Sequence, residues 1–480
     1  MARVSPPGFV ARRTTLRFSF EGRSIEAAPG ETIAAALVAA GEVALRGTRT
    51  GDLRGPFCGM GVCHDCLVAV DGRTARACMT AVADGMGVTR HRPDLPAPAT
   101  PGPPPPATRL AADVVVVGAG PAGLSAALAA AECGADALVV DERKQPGGQY
   151  HKQPAEALPI VEAELDRQFR EGRALRRRAE AAGVRFLREA TAWAAQDGDL
   201  LVGTPSGACR IAARRIVLAT GAAETCPPFP GWTLPGVMTT GAAQTFLRAY
   251  GVVPGRRLVI AGVGPLNLQL AAELAAAGAQ VVAVVEGSAA PGLAAAPLLA
   301  RMALAAPRLV IDGLDYRRRL RRAGAPLLHR AVILRAEGEG RLERAVVAPL
   351  DADGAADHAA ARVFACDALC LGYGFAPSIE LAASMGCDLR YDRRWRHLTV
   401  ATDAEGRSSL PHVFAAGDGA RFGGARVALA AGRLAGLAAA RDLGFSDRAG
   451  GPDAASAPRR DLARARAFQD ALWRLYDASA

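Results

Sequence analysis

Residues 113–142 read DVVVVGAGPAGLSAALAAAECGADALVVDE. The run Asp113–Val117 suits a strand buried on both faces of a parallel sheet. Gly118, Gly120 and Gly123 follow in G-x-G-x-x-G spacing, at the mouth of a helix expected from Pro121 to Cys133. A second apolar strand, Ala137–Val140, ends at Asp141. Each position in such a unit has a physical duty. The first glycine makes the turn, the second lets a pyrophosphate approach, and the third packs helix against strand, while the acid holds ribose hydroxyls. The order returns at residues 256–286, RRLVIAGVGPLNLQLAAELAAAGAQVVAVVE, with Gly262, Gly264 and Glu286. Two such units imply parallel sheets covered by helices, an α/β architecture.

The two units differ. The third glycine position of the second is Asn267, which is expected to loosen the fit of helix on strand. Glu286 would repel a 2′-phosphate and favour NAD over NADP. Whether that site keeps NAD or another adenine nucleotide, or survives only as a structural domain, stays open. For the first unit, two later segments favour FAD. Residues 213–224, ARRIVLATGAAE, place Thr220 and Gly221 after an apolar strand, and residues 410–420, LPHVFAAGDGA, carry Gly417 and Asp418. An aspartate there suits the ribityl chain of a flavin. Residues 147–154, GGQYHKQP, add Gly148 and Gln149 as candidate flavin contacts. Together these segments resemble the two-dinucleotide-binding flavoproteins (glutathione-reductase-like) over residues 111–440. Disulfide reductases of that family need a cysteine pair beside the flavin; GGQYHKQP has none and Cys226 stands alone.

Upstream, residues 56–66 read PFCGMGVCHDC. Cys58, Cys63 and Cys66 have C-x4-C-x2-C spacing, and Cys78 follows after eleven residues. This is the plant-type [2Fe–2S] pattern, with Cys78 as the fourth ligand. Gly59 and Gly61 let the backbone wrap closely and aim N–H groups at the sulfurs. Zinc is the alternative, but zinc sites usually pair two C-x2-C knuckles and here there is one. His64 reads as a neighbour of the site, since four cysteines complete the set. Cys133, Cys209, Cys366, Cys370 and Cys387 read as packed thiols.

Around this loop the alternation of Leu16, Phe18, Phe20, Ile25 and Ala27 about a turn at residues 21–23 predicts a hairpin. A helix starting at Thr32 and stopping at Gly41 follows, and residues 67–78 predict a second hairpin on Asp71-Gly72. The order suits an α+β β-grasp. Residues 93–106 hold eight prolines in fourteen positions. They predict a semi-rigid polyproline spacer rising roughly 3.1 Å per residue. The expected division is therefore a cluster module over 1–92, a linker over 93–108, an FAD domain over 109–230 and 361–450, an NAD-type domain over 231–360, and an amphipathic C-terminal helix over 451–480. Leu462, Ala465, Phe468, Leu472 and Leu475 share one side of that helix.

Composition narrows the remaining classes. Half of the 480 residues are hydrophobic and 22% are charged, which excludes wholesale disorder. Arg301 and Arg433 interrupt the most apolar stretches, so no membrane span is expected. The opening MARVSPPGFVARR lacks the apolar segment of a signal peptide, and a cytoplasmic protein is expected. The net charge of +10 comes almost wholly from arginine, lysine occurring only at 144 and 152. With 5% aromatics and arginine clusters at 173–178 and 317–322 that read as solvated helix faces, no nucleic-acid partner is expected.

A small C-x4-C-x2-C module before VVDERKQPGGQ (139–149), FPGWTLPGVMTTGAAQ (229–244) and AGVGPLNLQLAAEL (261–274) resembles one group closely. It is similar to the alpha-type electron-transfer subunits of bacterial heteromeric amine and imino-acid oxidoreductases. These include opine oxidase, D-hydroxyproline dehydrogenase, hydrogen cyanide synthase and, more distantly, sarcosine oxidase. In several relatives the cluster module is a separate small subunit. Some relatives also add a cysteine-rich C-terminal cluster domain, whereas this sequence ends at Ala480. The resemblance implies, as partner, a D-amino-acid-oxidase-type flavoprotein beta subunit, with a small additional cluster-binding subunit supplying any second cluster. It implies an electron relay through FAD and [2Fe–2S], and it leaves open an FMN at a subunit interface. In keeping with this, no catalytic base constellation for a substrate is visible. A self-contained NADH-dependent reductase is the alternative.

Overall fold

The computed structural model describes residues 3–10, 15–93, 107–196, 198–445 and 454–477. Of the polyproline spacer expected over 93–106, residues 94–106 lie outside the described residues.

The N-terminal module is a five-stranded sheet in the order 23–27, 16–20, 87–90, 67–70, 73–76. Its central pair, 16–20 and 87–90, is parallel, and both hairpins are antiparallel. The helix Ile33–Ala39 lies over it with every residue buried. Thr32 starts that helix, its Oγ1 accepting from Ala35 N at 3.3 Å and so satisfying an end donor that the helix leaves free. This is a β-grasp.

The first dinucleotide sheet runs 185–187, 137–140, 108–117, 207–218, 199–204, 191–196. Strand 413–415 pairs in parallel with the end of 207–218, opposite 108–117. Helices Pro121–Glu132 and Gly424–Arg441 pack together beside this sheet. Glycines set their separation. A Cβ on Gly432 would lie 2.1 Å from Ala122 O, and one on Gly436 2.1 Å from Ala126 O.

The second sheet is wholly parallel, in the order 237–239, 368–372, 257–262, 280–286, 327–329. A three-stranded antiparallel sheet, 331–337, 344–349 and 362–365, belongs with it through a common core. This corrects the expected boundary at 361. Residues 368–372, ALCLG, are buried throughout and form an inner strand of the second domain. The two domains are bridged by crossover strands 222–224 and 375–377, which pair antiparallel. The chain therefore returns to the FAD domain at Phe375–Pro377.

The module is packed onto the body. Phe18, Ile33 and Leu37 share one apolar core with Met238, Phe246 and Leu270 of the second domain. Thr239 N donates to Phe57 O at 2.9 Å, and Val4 N donates to Gly251 O at 2.8 Å. The C-terminal helix, Ser456–Tyr476, buries Leu462, Phe468, Ala471, Leu472 and Trp473 against helices Ala296–Ala305 and Gly424–Arg441. Glu405 accepts from Arg407, Arg441 and Arg459, tying that helix to the FAD domain. The expected arginine faces are helical, on Arg167–Ala181 and Pro307–Arg322.

Because nothing larger than hydrogen fits at 432, Gly432→Ala is expected to destabilise the chain by about 1–3 kcal/mol, the usual cost of overpacking. A lower denaturant midpoint, together with FAD lost on gel filtration, would be the readout.

Candidate functional site

Four cysteines gather on the loop that leads into the second hairpin of the module and just past that hairpin's end. Cys58, Cys66 and Cys78 are buried and Cys63 is half-buried. Cys63 and Cys78 act as thiol donors, which pushes their pKa values up. Their hydrogen bonds hold Cys58 and Cys66 down, in the direction of thiolate. The contacts form an open chain, 63–58–78–66, and among the described residues no three His, Cys, Asp or Glu side chains converge as a single-ion site needs. Backbone N–H groups also point at sulfur, Met60 N to Cys58 Sγ at 3.4 Å and Asp65 N to Cys63 Sγ at 3.5 Å. Four thiols in this setting fit a [2Fe–2S] cluster. The loop is seated by Gly59, at φ +62, where a Cβ would lie 2.8 Å from Ala242 Cα. Arg76 donates to Gly61 O at 2.9 Å and braces the other side.

The first dinucleotide turn is built as its spacing predicts. A Cβ on Gly118 would lie 2.3 Å from Ala219 O, and one on Gly123 1.8 Å from Gly118 O. Over Gly120 the space is open, Gly148 Cα at 3.9 Å being the nearest atom. Gly148 must itself be glycine, because a Cβ there would meet Gly120 Cα at 2.7 Å. Asp141 is buried and accepts from Ala119 N and from Arg143 N. Burial pushes its pKa up against those two donors. Asp418 accepts from Gly423 N and Gly424 N, each at 2.9 Å, and is likewise raised by burial. A Cβ on Gly417 would meet Ala122 Cβ at 2.6 Å, which locks this turn against the Pro121–Glu132 helix. Thr220 Oγ1 donates to Ser378 O at 2.6 Å beside Gly221.

These groups face a cavity of about 1290 Å³. Gly118, Gly120, Asp141, Gly148, Gln149, Thr220, Gly221 and Asp418 all line it, an open glycine floor with an acid at each end that suits FAD. Cys58, Met60 and Gly61 of the cluster loop line the same cavity. Three lining or adjoining groups were not singled out in the sequence: Glu224, Lys152 behind it, and Trp473. The first two lie in the runs ARRIVLATGAAE and GGQYHKQP, read for their other residues, and the third is one apolar residue among several on its helix.

At the second site Asn267 does not loosen the fold, contrary to expectation. It is buried, donating from Nδ2 to Gly372 O at 2.9 Å and accepting from Thr240 Oγ1 at 2.8 Å. The amide thus replaces glycine's close contact with two hydrogen bonds. Glu286 accepts from Gly264 N on one oxygen and from Ser288 N and Oγ on the other. Burial pushes its pKa up to about 7. Unlike Gly120, Gly264 is covered: a Cβ on it would meet the Trp473 indole at 3.5 Å. That indole continues an aromatic row, with Phe375 stacked on Phe422 at 4.9 Å and Phe422 edge-on to Trp473 at 5.6 Å.

A cluster module joined to two dinucleotide folds over one cavity defines an iron–sulfur flavoprotein oxidoreductase. Residues 13–93 match the model of the 2Fe-2S iron-sulfur cluster binding domain, and residues 112–433 match that of pyridine nucleotide-disulphide oxidoreductase. The chain belongs to the pyridine nucleotide-disulphide oxidoreductase family, in the group that holds the matching subunits of opine oxidase, and carries FAD and [2Fe–2S]. It is 34% identical to an opine oxidase subunit of Agrobacterium tumefaciens (strain Ach5), over 75% of this chain and 72% of that one. Identity to the HcnB subunit of hydrogen cyanide synthase from Pseudomonas aeruginosa is also 34%, over 67% and 69%. The alpha subunit of sarcosine oxidase from Corynebacterium sp. (strain P-1) is 31% identical over 62% of this chain and 33% of its own. Among solved structures, L-proline dehydrogenase from P. horikoshii matches with TM-score 0.67 at 21% identity, over 95% of this chain and 78% of that one. T. acidophilum thioredoxin reductase matches with TM-score 0.51 at 19% identity, over 69% and 99%. These two likenesses are of fold.

Cys63→Ser is expected to lower iron and acid-labile sulfide from about two each per chain to well under one, with FAD retained at about one. Metal, sulfide and flavin analysis of the purified variant decides it. Glu286 gives a second test, through pH. Its folded pKa lies above the ordinary 4.5, so the stability it contributes is full below about pH 4.5 and is lost as pH rises through about 7. Glu286→Gln should flatten that stretch of the denaturant-midpoint profile.

Proposed function

We propose that this chain is the electron-relay subunit of a multi-subunit amine or imino-acid dehydrogenase or oxidase. A D-amino-acid-oxidase-type flavoprotein partner takes the electron pair from the substrate carbon beside nitrogen, and this chain carries it away. The single observation behind the relay is the shared cavity, lined by Cys58 and its loop on one side and by Gly118, Gly120 and Asp418 on another. When bound, FAD accepts electrons in pairs and releases them singly, and an iron–sulfur cluster accepts one at a time. The protein's part is placement. Gly59 brings the cluster loop against Ala242, and the glycine turns let the dinucleotide lie close to the backbone. The matched proteins of opine oxidase, hydrogen cyanide synthase and sarcosine oxidase are each subunits by name, which supports a multi-subunit assembly here.

A self-contained NADH reductase would need a dinucleotide across Gly264. The Trp473 indole lies over that glycine, which favours the relay over the reductase. Any nucleotide at the second site has to share its entrance with the C-terminal helix. Among the described residues no helix is long and apolar enough to cross a membrane. Ten cysteines, none of them in a disulfide, suit a reducing compartment, and we place the chain in the cytoplasm.

Under anaerobic conditions NADH is expected to leave the flavin absorbance of the isolated chain unchanged. Bleaching should occur only when an amine or imino acid and the partner flavoprotein are both present. Full bleaching of the isolated chain by NADH would reverse the choice between the two readings.

A further inference from the structure

A half-buried glutamate and a fully buried lysine flank Gly241 beside the flavin cavity. Glu224 ends the crossover strand 222–224 and lines the cavity at the junction of the two nucleotide domains. Both of its carboxylate oxygens accept from Gly241 N, at 3.0 and 2.9 Å. The fit is tight, because a Cβ on Gly241 would lie 2.6 Å from Glu224 Oε2. On the other side of this glycine, Thr245 Oγ1 donates to Gly241 O at 2.7 Å and accepts from Lys152 Nζ. Lys152 is 3% exposed. Its second hydrogen bond goes to Oε1 of the cavity-lining Gln149, at 2.7 Å, and no carboxylate among the described residues lies within ion-pair distance. A lysine sealed in this way is costly unless it serves the group in front of it.

Resting on the relay reading, a chemical requirement points to its use. A cluster accepts electrons and no protons, whereas reducing a flavin also takes up a proton. A proton must therefore be supplied at the flavin on reduction and reclaimed there on reoxidation. Asp141 and Asp418 lie at the dinucleotide's ribose and ribityl positions and Glu286 at the second site, whereas Glu224 lies on Gly241, next to the Ala242 seat of the cluster loop. We propose that Glu224 exchanges this proton with the bound flavin and that Lys152, which reaches it only through Thr245 and Gly241, is a positioning residue for the exchange.

As an electron pair arrives from the partner's reduced flavin, the Glu224 O–H breaks and its proton goes to a ring nitrogen of the FAD. Glu224 is left as carboxylate on the Gly241 N–H, with Lys152 beyond Thr245 favouring that charge from a distance. The electrons then leave singly through the cluster to an external one-electron acceptor, and the proton returns to Glu224. Burial pushes the Glu224 pKa up to about 7, a value suited to exchange near neutrality. Lys152 opposes that rise, while the charge of Cys58 adds to it. Cys226 and Cys370 also feel the Glu224 charge. Burial first, then Arg143 and Arg248, push the Lys152 pKa well down, against the pull of Glu224 and Glu273.

The test is electrochemical reduction of the purified FAD- and cluster-loaded chain, followed by redox-difference infrared spectroscopy and by stopped-flow absorbance in H2O and D2O. The native chain should lose a protonated-carboxyl C=O band on flavin reduction. Its flavin reduction should slow as pH rises through about 7, where Glu224 no longer holds the proton, and should show a solvent isotope effect. Glu224→Gln should lose the band, the pH break and the isotope effect, and slow flavin reduction by about 10²-fold at low pH. Glu224→Asp should restore the band with a shifted break, and Lys152→Met should move the break upward. A band and isotope effect unchanged in Glu224→Gln overturn the proposal. A cluster that stays oxidised by electron paramagnetic resonance after flavin reduction, in every variant, would instead overturn the relay reading, while the carboxyl band still decides the role of Glu224.

Discussion

The cluster loop meets the body at a contact that leaves no room for a side chain. Gly59 lies in the left-handed region with its Cα facing Ala242 of the Thr240–Tyr250 helix, and Thr239 N reaches back to Phe57 O. Electron passage between carriers falls steeply with separation, so a relay depends on such contacts being short and rigid. The same helix start carries Gly241, which joins Glu224 to Thr245 and Lys152. Ala242 and Gly241 are neighbours in sequence, so the seat of the cluster loop and the floor under Glu224 are one piece of backbone.

Division into modules by composition and division by packing disagree here. The proline-rich segment reads as a spacer between independent bodies, yet Phe18, Ile33 and Leu37 share a core with Met238, Phe246 and Leu270. A β-grasp of this size has little core of its own, and an apolar surface held against another domain stabilises both. The N-terminal residues add to this through the Arg3–Glu31 ion pair at 2.9 Å and the Val4–Gly251 hydrogen bond.

Much of the architecture was legible because it depends on local pattern. Strand 137–140 and the helix starting at Pro121 fall where the alternation of glycine, apolar run and acid puts them. So do both module hairpins, and Thr32 caps its helix as its position suggests. Long-range relations were not legible. The 361 boundary failed because ALCLG reads as a buried strand without saying which sheet receives it. Asn267 looked like a defect because its partners, Thr240 and Gly372, lie 27 and 105 positions away along the chain. Lys152 and Glu224 lie in runs read for their other residues, and only the folded chain shows that Gly241 stands between them.

The shared core also orders events during synthesis. The cysteine-bearing domain leaves the ribosome before the two nucleotide domains, yet its packing partners extend to Leu270. At about 5–20 residues per second, roughly ten seconds or more pass between the end of that domain and the arrival of those partners. Until then the nascent thiol loop lacks the helix on which it finally rests.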